Sequence, residues 1–74
     1  MSEPIVVLGA GAFGTALANQ AARNGARVVL WARDPAHVEE MRHARENARR
    51  LPGVKLAASV EPSADLARLR DARV

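Results

Sequence analysis

The sequence predicts an α/β fold, the first half of a doubly wound parallel sheet. Three observations carry this. An unbroken apolar run, Pro4 to Leu8, leads directly into glycines spaced G-x-G-x-x-G at Gly9, Gly11 and Gly14. A segment of helix formers follows those glycines. A second branched apolar run, Arg27 to Ala32, then arrives on the schedule of one strand-helix-strand unit of about 30 residues.

Taken in order, Pro4 to Leu8 is rich in Ile and Val without a polar interruption, as a strand covered on both faces of a parallel sheet reads. From Ala12 to about Asn24 the chain favours helix, with Phe13, Leu17 and Ala21 recurring on one face, and Gly25 stands where a helix stops. Arg27 to Ala32 is the second strand. Asp34 then offers an N-cap and Pro35 a first helical residue, so a second helix is expected from Pro35 to about Arg49, ended by Pro52 and Gly53.

That helix is expected to bury Val38, Met41, Ala44 or Arg45, and Ala48, with Glu39–His43 and Arg42–Glu46 as outward pairs. Beyond it the pattern weakens. A short strand is expected around Ala57 to Val60, then a helical turn or two capped by Ser63 and closing on Asp71, and the final Arg73 and Val74 resemble the start of another strand. A complete doubly wound nucleotide-binding sheet has about six strands. Residues 1–74 are therefore expected to be the amino-terminal portion of such a domain, the rest of it lying outside this sequence.

Composition excludes several functions. There is no cysteine for a disulfide or thiolate metal site, and no apolar run approaches the roughly 20 residues of a membrane span. The start, "MSEPIVV", lacks a basic leader, so the default location is cytoplasmic. The net charge is +3, and the densest basic stretch, Arg42 to Arg50, is interrupted by Glu46 and preceded by Glu39 and Glu40. A nucleic-acid helix shows a more one-signed stripe with aromatic partners, so no nucleic-acid partner is expected.

Single residues add little chemistry. His37 and His43 are six apart on a polar helix surface, which suits no metal pair, and no metal is expected. Ser63 has no base arranged around it, Trp31 reads as sheet packing and Lys55 as a solvated loop residue. No catalytic residue is identified.

The glycines carry the functional reading. Gly9 permits the tight turn, Gly11 lets the backbone approach a diphosphate, and Gly14 lets the helix pack close to the strand. The diphosphate would meet the free N–H groups at the start of the first helix, around Ala12 and Phe13, as in a partial Rossmann domain. At the tip of the second strand, about 20 residues on, an acid binds the ribose of NAD and an arginine accommodates the 2′-phosphate of NADP. Arg33 occupies that tip while Asp34 is taken as a helix cap, so NADP is expected, with NAD possible.

With these motifs on the page, "VVLGAGAFGTALA", "VVLWARDP" and "RENARRLPGVKL" resemble the amino terminus of bacterial NAD(P)-dependent glycerol-3-phosphate dehydrogenases. Arg45, Asn47 and Leu51 to Gly53 are the narrower part of the match. The resemblance implies cofactor contacts on Gly9, Ala10, Gly11, Ala12, Phe13 and Gly14, on Arg33, and on position 50, where Arg50 replaces the family's aromatic residue. A guanidinium plane still stacks on adenine or meets a phosphate.

The resemblance further implies hydride transfer between NAD(P)H and dihydroxyacetone phosphate or glycerol 3-phosphate, supplying phospholipid precursors. It implies a homodimeric full-length enzyme whose catalytic lysines and helical substrate domain lie beyond Val74. Another NADP-linked Rossmann reductase, or a non-enzymatic dinucleotide sensor, shares the opening motif.

Overall fold

The computed structural model describes residues 4–71. Its elements are β1 (Ile5–Leu8), α1 (Ala12–Arg23), β2 (Val28–Trp31), α2 (Pro35–Ala44), β3 (Val60–Ser63) and a closing 3₁₀ helix (Leu66–Asp71). The three strands are parallel in the order β1-β2-β3, with Val7 opposite Leu30 and Leu30 opposite Pro62. Two strand-helix-strand units in succession are the first half of a doubly wound sheet, as the pattern of runs requires.

Residues alternate faces along each strand. Val28, Leu30 and Val60 join Ala18, Val38, Met41 and Leu56 in one apolar cluster, with Val7 packed against it. Val6 and Val29, also buried, alternate with these along their strands. The closing 3₁₀ helix packs against β1.

The strand β1 is only partly covered, contrary to the expectation of burial on both faces. Val6 is buried, while Ile5 and Leu8 are exposed. The cause is position: among the described residues β1 pairs with β2 alone and is an edge strand. On α1 the packed residues are Thr15, Ala18 and Asn19, and the Phe13 and Leu17 stripe faces outward, Phe13 being 79% exposed. Asn19 reaches across to an irregular segment, its Nδ2 donating to the Lys55 carbonyl at 3.1 Å and its Oδ1 accepting from the Ala57 N–H at 2.9 Å.

Helix α2 starts where expected. The Asp34 carboxylate accepts from the Ala36 N–H at 2.9 Å, and Pro35 follows at the first position. It stops at Ala44, five residues before the expected end, because Arg45 adopts a left-handed conformation (φ 52°). Arg45 Nη2 donates to the Ala57 carbonyl at 2.7 Å and holds that turn. Val38 and Met41 are buried as expected and Arg45, the alternative to Ala44, is half-buried, but Ala44 and Ala48 are exposed.

Neither outward pair forms. Arg42 Nε donates to the Pro62 carbonyl at 3.2 Å, Glu46 accepts from the Gly53 N–H at 2.9 Å, and Glu39 makes no ion pair with His43 among the described residues. Lys55 is not simply solvated, since its Nζ donates to the Ala44 carbonyl and lies 3.8 Å from Glu46.

The third strand lies three residues later than expected. Ser63 therefore ends β3, and its Oγ accepts from the Asp65 N–H, while the Asp65 carboxylate caps the turn by accepting from Ala67. The expected strand start at Arg73 and Val74 lies outside the described residues. Among the described residues no helix is long and apolar enough to cross a membrane.

Candidate functional site

The site is built where β1 turns into α1. The Gly9 N–H continues the ladder by donating to the Trp31 carbonyl at 2.8 Å. Gly9 then takes φ +95°, a region that L side chains rarely adopt, and turns the chain across the end of the sheet. Gly14 sits so close to this turn that an added Cβ would lie within 3.0 Å of the Gly9 carbonyl oxygen. Each of these two glycines thus has a structural reason of its own.

Gly11 differs. Its φ is an ordinary −78°, and an added Cβ would meet nothing within 4 Å. No packing among the described residues requires a glycine there, which leaves space for something outside them. Gly11 is also the N-cap of α1, and no side chain caps that end. The first N–H groups of the helix, from Ala12 onward, therefore remain free for an acceptor and carry the positive end of the helix dipole.

In front of this turn lies a hollow of about 360 Å³ lined by Gly9, Ala10, Gly11, Trp31, Arg33 and Arg50, among others. The strand tip and the irregular segment after α2 thus bring Arg33 and Arg50 to the same hollow as the glycine turn. Both guanidiniums are exposed and make no hydrogen bond or ion pair among the described residues. Of the residues expected from sequence, Gly9, Ala10, Gly11, Arg33 and Arg50 line the hollow, while Ala12, Phe13 and Gly14 follow in the first turn of α1.

Asp34 stands at the rim but is committed elsewhere. Its carboxyl is held below the ordinary carboxylate range, chiefly by the Ala36 N–H and then by Arg49, which also binds Glu40 at 2.6 Å. Glu40 is lowered in turn, chiefly by that Arg49 hydrogen bond. Trp31 packs at the sheet end, and its Nε1 donates to the Asp65 carbonyl at 3.1 Å.

His37 is not on the polar surface where its helix position put it. It is 8% exposed, and its Nε2 lies 2.8 Å from Asn47 Oδ1. Asn47, fully buried, donates to the Ala10 carbonyl and to Thr15 Oγ1, both at 2.8 Å. The sequence signal for this cluster was available: His37 is four residues before Met41 and adjoins Val38, so it falls on the edge of the buried stripe. A larger hollow of about 650 Å³ lies between Ala36, Met41, His43 and Ala48, and of its lining residues only His37 also lines the hollow at the glycine turn. No group of three or more His, Cys, Asp or Glu suited to a metal ion occurs among the described residues.

The arrangement suits a ligand with a diphosphate and a second anionic group. Backbone N–H groups at the start of α1 would meet a diphosphate, and the guanidiniums of Arg33 and Arg50 line the same hollow. Chains of known type are similar to this one. Residues 4–73 match the family model described as NAD-dependent glycerol-3-phosphate dehydrogenase N-terminus.

The chain is 66% identical over 64 residues to the glycerol-3-phosphate dehydrogenase [NAD(P)+] of Azorhizobium caulinodans, covering 86% of this chain and 20% of that protein. It is 56% identical over 64 residues to the one from Ectopseudomonas mendocina, covering 86% and 19%. Its fold is similar to the crystal structure of glycerol-3-phosphate dehydrogenase from Coxiella burnetii, with a TM-score of 0.88 at 40% identity, over 96% of this chain and 22% of that one. The chain thus spans about a fifth of the length of these relatives.

Proposed function

Because the chain belongs to the family of NAD-dependent glycerol-3-phosphate dehydrogenase N-terminal domains, we propose that it forms the cofactor-binding part of such an enzyme. The observation that carries this is the glycine turn. Gly11 is open to a ligand, and the uncapped end of α1 faces a hollow flanked by Arg33 and Arg50. The diphosphate of the dinucleotide rests on the backbone from Gly9 to Gly14, accepting from the N–H groups of Gly11, Ala12 and Phe13. Ala10 lines the wall behind it.

Arg33 takes the 2′-phosphate, so NADP is the preferred cofactor and NAD is tolerated. Arg50 stacks on adenine or meets a phosphate. When bound, the cofactor supplies a hydride, exchanged with C2 of dihydroxyacetone phosphate or glycerol 3-phosphate to provide phospholipid precursors. The residues of this chain bind and orient it. Substrate and catalytic groups come from the remainder of the enzyme, as the roughly fivefold greater length of the relatives supports. The enzyme works in the cytoplasm as a homodimer.

The test is titration of the product of the full reading frame with NADPH and NADH, followed by NADPH oxidation with dihydroxyacetone phosphate. Tight binding with turnover is the expected result. Absence of binding refutes the site, and binding without turnover of this substrate points to another reductase or a sensor.

A further inference from the structure

The glycine turn rests on a buried polar cluster whose every bond has a defined direction. Asn47 spends both amide protons, one on the Ala10 carbonyl and one on Thr15 Oγ1. The Thr15 hydroxyl, also fully buried, donates to the Gly11 carbonyl at 2.8 Å and so accepts from Asn47. With Nδ2 facing two oxygens, the carboxamide has one orientation. Asn47 Oδ1 then requires His37 Nε2 to carry the proton.

These bonds hold two consecutive peptide groups. The Ala10 carbonyl is tied to Asn47 and the Gly11 carbonyl to Thr15. In a trans peptide the C=O and N–H point to opposite sides, and the described chain holds no cis bond. The N–H groups of Gly11 and Ala12 are therefore turned away from the buried cluster, towards the exposed side of the turn.

We propose that Asn47, together with Thr15 and His37, is a positioning residue for the cofactor diphosphate. This rests on the dinucleotide reading of the site. By holding two carbonyls on the buried side, the cluster sets the peptide planes before the ligand arrives. The Gly9 N–H is held by Trp31 and the Gly11 carbonyl also accepts from the Thr15 N–H at 3.0 Å, so it is the Ala10–Gly11 plane, held by an Asn47 amide that Thr15 Oγ1 keeps oriented, that would otherwise be ordered at the moment of binding, at a cost in affinity. The diphosphate is common to NADP and NAD, so the contribution is equal for the two cofactors.

The test uses the product of the full reading frame, titrated with NADPH and NADH by nicotinamide fluorescence at a temperature where every variant is folded. Asn47→Leu removes the amide at similar volume, Thr15→Val removes only the hydroxyl, and Thr15→Ser restores it. Asn47→Leu and Thr15→Val should raise Kd about 10-fold to 100-fold, in equal proportion for both cofactors. The cofactor KM should rise alike, with kcat at saturating cofactor within about twofold of wild type. Thr15→Ser should bind as wild type.

Should Asn47→Leu not fold, the Thr15 pair decides. A Thr15→Val protein with a lowered melting temperature but unchanged Kd would overturn the proposal, as would a Thr15→Ser protein as impaired as Thr15→Val. Failure of the wild-type protein to bind either cofactor would instead remove the dinucleotide reading, and this inference with it.

Discussion

Gly14→Ala tests the close approach of α1 to the glycine turn, because helix propensity and packing predict opposite signs. Gly14 is the third residue of α1, and alanine within a helix is worth about 0.5–1 kcal/mol over glycine. Against this, the new Cβ falls within 3.0 Å of the Gly9 carbonyl oxygen, with Gly9 C and Val7 Cγ1 both at 3.5 Å. The obstructing atom is backbone, and the Gly9 N–H is anchored on Trp31. Relief therefore requires moving the helix off the sheet.

Overpacking costs about 1–3 kcal/mol, and a rigid backbone obstacle places this case near the top of that range. After the gain in propensity, the net loss is about 2 kcal/mol. In a unit of 60–100 residues that lowers the melting temperature by about 8–16 °C. Gly11→Ala is the matched control, with open space and ordinary φ, and should melt within about 1 kcal/mol of wild type. Thermal melts by circular dichroism give the comparison. A Gly14→Ala protein that melts at or above the wild-type temperature would refute the packing argument.

Three further outcomes are expected. Arg33→Asp should weaken NADPH binding by about 1.5–3 kcal/mol relative to NADH, through loss of a charge-assisted phosphate contact; equal losses in paired titrations would show that Arg33 does not select the cofactor. His37→Leu leaves Asn47 Oδ1 buried without its donor and should cost about 1–3 kcal/mol in a denaturant melt. Asp34 and Glu40 are both depressed, so their stabilisation is present above the unfolded carboxylate value of about 4 and drains as pH falls below it. In melts recorded across pH, Arg49→Met should lower the melting temperature slightly near neutrality and flatten that acid decline, the two proteins converging at low pH, and an unchanged slope would remove Arg49 as its source.

The parts of the fold legible in the sequence were those written in local chemistry. Branched apolar runs marked β1 and β2, and Asp34 with Pro35 marked the start of α2 within a residue. The end of α2 was not legible, because Arg45 bears no turn signature and its left-handed conformation is stabilised from afar, by the Ala57 carbonyl. The register of β3 was hidden for a related reason: Glu61 and Pro62 are poor strand formers, and parallel pairing to β2 places them there.

Within the site, the roles of Gly9 and Gly14 followed from spacing. The partnership of His37 with Asn47, ten residues apart, did not. A side chain amide bonded to the carbonyl of Ala10, 37 residues earlier, leaves no periodic trace.

Asn19 has a consequence for how the chain tolerates length. By chain order Lys55 to Ala57 is a connecting segment, the kind of place where extra residues are usually harmless. Yet the carboxamide of Asn19 offers one donor and one acceptor to two backbone groups set two residues apart, as a detached piece of neighbouring strand would. One added or deleted residue there would bring two donors or two acceptors face to face, or miss the helix altogether. This stretch of apparent loop is thus gauged by a helix side chain, and its length is fixed as firmly as that of a strand.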